Sequence, residues 1–198
     1  MSSYYYFIFM IEILAVLSVS AAAGMRIALP LLVFGLLQEE NLWSQIPILS
    51  QFPETLLIGL LSIWSLFELF ASKKLLGQRI LQVVQLMFSP LVGAIMGLAI
   101  LTTPMIPNWL IASIAALLAL VLQIVQVGWF YRLRGLPLWA VVIQDILCIA
   151  LVLFAVDAPW QGGLIALFLL WFAVRSATQW YGWYHKGKKT KVPRRLYL

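Results

Sequence analysis

Long apolar runs, separated by short polar segments, make up almost the whole chain. A bilayer core of about 30 Å takes roughly 20 apolar residues in a helix. Five runs fit that length directly: Phe52–Ala71, Ile80–Leu101, Trp109–Tyr131, Leu138–Val156 and Gly163–Trp183. The segments between them read SKKLLGQR, TTPMIPN, RLRGLP and DAPWQG, and Pro or Gly in most of them marks helix ends. Tyr4 to Leu37 is harder to place. As one straight helix it would extend about 50 Å, too long for one upright crossing and too short for two. The pattern favours one long tilted helix kinked near Gly24–Pro30, with Tyr4–Tyr6 as an interfacial aromatic anchor. Its alternative is a full span followed by a re-entrant half-helix. Either way the fold class is all-α, a polytopic transmembrane bundle of about six spans.

Composition agrees with this reading. The chain is 64% hydrophobic and 10% charged, against about 25% charged in an ordinary soluble domain. No Lys or Arg precedes Arg26, so the first run lacks the basic start of a signal peptide and is expected to persist as a membrane segment. Cys148 is the only cysteine, which excludes an intrachain disulfide.

Charge then orients the spans. Lys73, Lys74, Arg79, Arg132, Arg134, Lys186, Lys188, Lys189, Lys191, Arg194 and Arg195 all fall on one side of a six-span chain. The opposite connections carry Glu39, Glu40, Glu54 and Asp157 and no basic residue. The positive-inside rule makes the basic side cytoplasmic and puts both termini there. Gln38–Glu54 reads as an interfacial loop or short amphipathic segment. The tail, residues 186–198, reads as a disordered basic segment touching anionic lipid, following a single transmembrane domain at 1–185. That assignment accounts for the +6 net charge without a nucleic-acid partner.

Five charged residues stay within the spans: Glu12, Arg26, Glu68, Asp145 and Arg175. Each costs at least about 2.5–3.5 kcal/mol at a helix centre, so such groups pair or line a wet cavity. Helical spacing sorts the polar positions into faces. Gln78, Gln82, Gln85, Ser89, Gly93 and Gly97 form one stripe, and Gly59, Ser62, Ser65, Glu68 and Ser72 a second. Glu12, Ala15, Val19, Ala22 and Arg26 form a third, and the three are expected to meet at the bundle centre. Gly24, Gly93 and Gly97 are the expected points of close helix packing. The binding candidates are Arg26, Glu68, Asp145, Gln82, Gln85 and Arg175, in a polar pocket toward the cytoplasmic side. The competing reading is that these groups only hold helices together or snorkel to the interface.

Chemistry of other kinds finds little footing. His185 is the only histidine and sits at a membrane edge, so no zinc or paired-haem site of ordinary type is expected. No nucleophile–base pair, P-loop or nucleotide fingerprint is present, and an enzyme is not expected. The sequence leaves the cofactor open, with chlorophyll or carotenoid among the options.

The run Ser20-Ala-Ala-Ala-Gly24-Met-Arg26-Ile-Ala-Leu-Pro30-Leu31 resembles the signature of a bacterial membrane family designated domain of unknown function 4126. The resemblance continues with Glu68 late in the next span, Pro90 to Gly93 in a later helix, and Gln144–Asp145 where the family has an acidic pair. An aspartate of the family pattern is replaced within Ala71-Ser72-Lys73-Lys74, and Gln144 replaces the first acid of the pair. The resemblance implies Arg26, Glu68 and Asp145 as site residues and names no substrate. The style of the sequence resembles cyanobacterial membrane proteins. The expectation is a small transporter or permease-like protein of a bacterial plasma membrane, or of a thylakoid membrane if the source is cyanobacterial. Its partners would be the lipid bilayer and a second copy or another membrane protein. The alternative is a non-transporting assembly or scaffold protein, with a lipid-binding module as a third reading.

Overall fold

The computed structural model describes residues 2–37, 53–71, 75–101, 107–133, 135 and 137–189, with side chains described for all of these except 2–5, 54 and 179–189. The described residues form seven helices and no strand. In chain order they are α1 (Ser2–Ala23), α2 (Ala28–Leu37), α3 (Glu54–Ala71), α4 (Leu75–Ala99), α5 (Asn108–Leu133), α6 (Leu138–Asp157) and α7 (Pro159–Lys189). Five of them, α1, α4, α5, α6 and α7, are long and apolar enough to cross a membrane, and α2 and α3 are shorter apolar helices. Large side chains such as Ile63, Met87, Leu117, Ile146 and Phe168 face outward. That surface suits hydrocarbon, and the all-α membrane bundle read from the sequence is what forms. The loop expected at Gln38–Glu54 lies almost entirely outside the described residues. Of the tail, helix α7 takes in residues up to Lys189, and the rest lies outside them too.

Helix α1 is the centre of the bundle. Small side chains cover it: Ala15, Ser18, Ser20, Ala21, Ala22 and Ala23 are buried. Neighbouring backbones can therefore come close, which is how membrane helices gain packing without a hydrophobic drive between them. Glycines supply the matching recesses on the partners. A Cβ at Gly163 would strike Leu14, and one at Gly162 would strike Ser18 and Phe154. Ser18 also donates to the Leu151 carbonyl at 2.7 Å. The α4–α5 seam uses the same device, because Gly93 and Gly97 lie against Ala115 and Ala119. Gly24 meets the same Ala119 from α1, so the three glycines expected from the sequence converge on one stretch of α5.

Contacts along α1 set its direction. Val16 packs near Gly97 and the Ala23 carbonyl meets Ser89, so α1 runs antiparallel to α4. Ser18 meets Leu151, Cys148 meets Ala22 and Gln144 meets Met25, so α1 is antiparallel to α6 as well. It runs parallel to α5, with Val16 beside Ile111 and Ala115, and Gly24 beside Ala119 and Leu122. Ala23 therefore stops level with the middle of α4, α5 and α6.

The chain breaks there, within the Gly24–Pro30 region expected from the sequence. Pro30 has no N–H to offer the Arg26 carbonyl, so one helix cannot run hydrogen-bonded through this point. In the first turn of a new helix that missing donor costs nothing, and Pro30 sits in the first turn of α2. The expected long kinked helix is in fact two helices of opposed direction. α2 packs along α3, and Arg26 at its start is within electrostatic reach of Glu68 near the α3 end. Only three residues of α3 follow Glu68, so α2 can pack along α3 only by running back toward its start. α2 thus runs antiparallel to α3, back toward the end of the bundle from which α1 entered.

Candidate functional site

An interrupted helix leaves backbone groups without intrahelical partners, and buried groups of this kind need others. At the α1–α2 break they are supplied from two neighbouring helices. Ser89 of α4 donates to the Ala23 carbonyl at 3.1 Å, and its single proton is shared with the Ala119 carbonyl at 3.3 Å. From α6, Cys148 lies 3.5 Å from the Ala22 carbonyl and Gln144 donates to the Met25 carbonyl at 2.6 Å. The break itself closes with Met25 and Arg26 N–H groups on the Ala22 carbonyl, at 3.0 and 3.1 Å.

Arg26 projects from this break into the protein. It is buried, and its Nε donates to Asp145 Oδ1 at 2.7 Å. That distance is at the short end of the range for a charge-assisted hydrogen bond. Glu68 approaches from α3, buried, with Trp64 Nε1 donating to its carboxylate at 3.1 Å. A glutamine layer surrounds the charges. Gln144 also donates to Gln126 at 3.1 Å, and Gln123 donates to Gln82 at 3.3 Å. The side-chain oxygen of the fully buried Gln123, Oε1, has no hydrogen-bond partner among the described residues. A small polar cavity is lined by Arg26, Gln78, Leu81, Gln82, Gln85, Val141 and Gln144, with room for about one water molecule.

Arg26, Glu68, Asp145, Gln82 and Gln85 are therefore brought together as the sequence reading placed them. Arg175 is not. It is exposed on α7, with its guanidinium 5.4 Å from the Trp171 ring centroid, an amphipathic side chain lying over an aromatic face at the bundle surface. Glu12 is also away from the cluster. It precedes Leu14, which packs at the start of α7, so it lies at the opposite end of the bundle from Glu68. The stripe expected on α3 is shifted, since Gly59 is exposed with nothing near it while Leu57 and Glu68 are buried. The α4 stripe is buried in full. Gln144 joins the cluster although the sequence marked it only as the neighbour of Asp145. Adjacent helical positions point about 100° apart. Both reach the break because α1 ends between their two directions.

Among the described residues no group of three or more His, Cys, Asp and Glu could hold a metal ion. A family model for a domain of unknown function, DUF4126, matches residues 13–179. The chain belongs to this family. The match takes in the second half of α1, the break and every member of the DUF4126 cluster described above. Neither a curated protein nor a solved structure matches the chain.

Proposed function

We propose that this DUF4126 protein is a small permease-like protein of a bacterial membrane, with its basic end cytoplasmic, and that this conformation is an occluded one. The observation that carries the reading is the helix interruption at mid-height of the bundle with a buried arginine at the break. Discontinuous helices near the midplane are where secondary transporters bind substrates and coupling ions. Ionisable groups at that depth are otherwise too costly to keep without use or pairing. In this reading Asp145 neutralises Arg26 at rest. A proton delivered to Asp145 frees the guanidinium for an anionic group, Glu68 balances the remaining charge, and Gln82 and Gln85 bind the polar atoms of the substrate. The positive-inside rule supports the orientation, because the exposed Arg79 and Arg132 lie at one end of the bundle and Asp157 at the other.

The test is proton movement into proteoliposomes loaded with a pH dye, with the membrane potential clamped and chloride, nitrate or succinate as the anion. Internal acidification should exceed that of protein-free vesicles with one of these anions and be lost in Asp145→Asn and Arg26→Gln. Flux that is indifferent to Arg26→Gln, Asp145→Asn and Glu68→Gln would remove the cluster from the mechanism.

A second reading, an assembly or scaffold protein, is favoured by the closed Arg26–Asp145 pair and the small size of the cavity beside it. Absence of flux together with a membrane protein copurifying in fixed stoichiometry would select it. Lipid and pigment analysis of the same purified material addresses the lipid-binding reading and the open question of a cofactor.

A further inference from the structure

We infer that α1 and α2 form a re-entrant hairpin that enters the membrane from the face opposite the basic one and turns back at Arg26. The membrane is then crossed by α3 to α7, and the Ser2 end of α1 lies on the far side from the end of α7. The inference does not rest on transport, since it holds equally for a scaffold.

Three observations combine. First, α1 is antiparallel to α4 and α6 and parallel to α5 (Ser89 on Ala23, Leu151 on Ser18, Ala119 and Leu122 on Gly24). In a six-crossing chain with α1–α2 as the first crossing, the first, third and fifth crossings share a direction, so α1 would run parallel to α4 and α6. It does not. Second, α1 stops level with mid-helix residues of three neighbours, its Leu14–Ala23 stretch spanning the acidic half of the bundle, and α2 returns along α3. Third, side chains differ on the two sides of the tip. Toward the acidic end the packing is apolar, with Val16, Val19, Phe34, Met96, Leu151 and Ala155 buried. Toward the basic end lie Gln78, Gln82, Gln85 and Gln144 around the polar cavity. The turn at Gly135, with φ of 127°, closes on Leu75 and Gln78 beneath it. A hairpin plugging the acidic half leaves Arg26 approachable only from the basic face.

The positive-inside rule is indifferent between the two topologies. The segment that changes sides holds Arg26 alone among basic residues, and Arg26 is buried at the tip. Non-helical backbone at membrane depth is tolerated where protein buries it, as Ser89, Cys148 and Gln144 do here.

Single-cysteine labelling with a membrane-impermeant maleimide tests the inference. Ser3→Cys and Tyr6→Cys mark the start of α1, Gln161→Cys the acidic end and Lys188→Cys the far end of α7. Cys148 is fully buried and adds little background. In intact cells Ser3→Cys and Tyr6→Cys should label together with Gln161→Cys, more than about tenfold faster than Lys188→Cys, because a charged reagent meets a barrier of several kcal/mol in hydrocarbon. Permeabilisation should remove the difference. Labelling of Ser3→Cys and Tyr6→Cys that follows Lys188→Cys would overturn the hairpin and restore a six-crossing chain. Two positions are used so that one poorly folded variant does not decide the matter.

Discussion

Removing Asp145 while leaving Arg26 in place is the most informative perturbation of the cluster. The Arg26 side chain is 6% exposed and bonded at 2.7 Å to a carboxylate whose side chain is 16% exposed. Breaking a buried pair by deleting one partner costs about 3–5 kcal/mol, most of it from the charge left behind. Glu68 lies near enough to take up part of that charge. Asp145→Leu is therefore expected at the lower limit, about 3 kcal/mol. Asp145→Asn keeps a neutral acceptor on Arg26 and should lose about 1–2 kcal/mol. Arg26→Met leaves the Asp145 carboxylate without its ion-pair partner, for a loss of about 3 kcal/mol. The double variant Arg26→Met with Asp145→Leu removes both charges from the glutamine-lined site at once. It should return to within about 1 kcal/mol of the native protein, as hydrophobic replacements of buried pairs do. The expected interaction energy from this cycle is thus above about 2 kcal/mol. Reversible unfolding in mixed micelles, titrated with a denaturing detergent, gives all four stabilities. Additive losses in the double variant would refute the pairing and the burial argument with it.

Other substitutions probe the break and the seams. Gly93→Ala places a Cβ 2.7 Å from that of Ala119 and 2.9 Å from the Ala115 carbonyl oxygen, and should cost about 1–3 kcal/mol in the same unfolding assay. Gly59→Ala meets nothing within 4 Å and should be neutral or stabilising by up to about 1 kcal/mol, so equal losses at the two glycines would refute the α4–α5 packing. Gln144→Leu strips the donor from the Met25 carbonyl and should cost about 1–3 kcal/mol, with faster amide exchange at Ile27 and Ala28; native exchange rates there would show that the donor is dispensable. Cys148 should resist a small permeant maleimide in the folded protein and react only on unfolding, and labelling at the rate of an exposed cysteine would contradict its burial.

Much of the bundle was legible in the sequence because hydrophobic run length and helical periodicity are local properties. The α4 stripe from Gln78 to Gly97 could be read from spacing alone, and it is buried along its whole length. That intramembrane charges pair was visible from their cost and near balance, while the choice of Asp145 as the partner of Arg26 was not. The directions of α1 and α2 were not legible. A run of apolar residues ending in Gly24-Met-Arg26 carries the same pattern whether the chain continues or turns back, and charge distribution adds nothing where the segment has no exposed basic residue. Arg175 was misplaced for a related reason. Spacing gives the face of a helix but not which neighbour covers that face, and α7 presents Arg175 outward beside Trp171.

The parts that sequence reading missed and found depend on one another. A hairpin tip at mid-depth exposes carbonyls that hydrocarbon cannot solvate, so the tip is stable only if neighbouring helices bring donors to it. Ser89, Cys148 and Gln144 do so from α4 and α6, and α4 can approach this closely because Gly93 and Gly97 let it pack on the same stretch of α5 that receives Gly24. Once Gln144 is committed to the Met25 carbonyl, the next residue of α6 is held against Arg26, which fixes the ion pair. The glycine recesses, the break and the charge pair are then one structural unit. Widening the α4–α5 seam at Gly93 should therefore weaken the Arg26–Asp145 interaction as well. In the Gly93→Ala background the double-variant cycle at Arg26 and Asp145 should give a smaller interaction energy than in the native protein. An unchanged value would mean that seam and ion pair are independent and that the break is held by local forces alone.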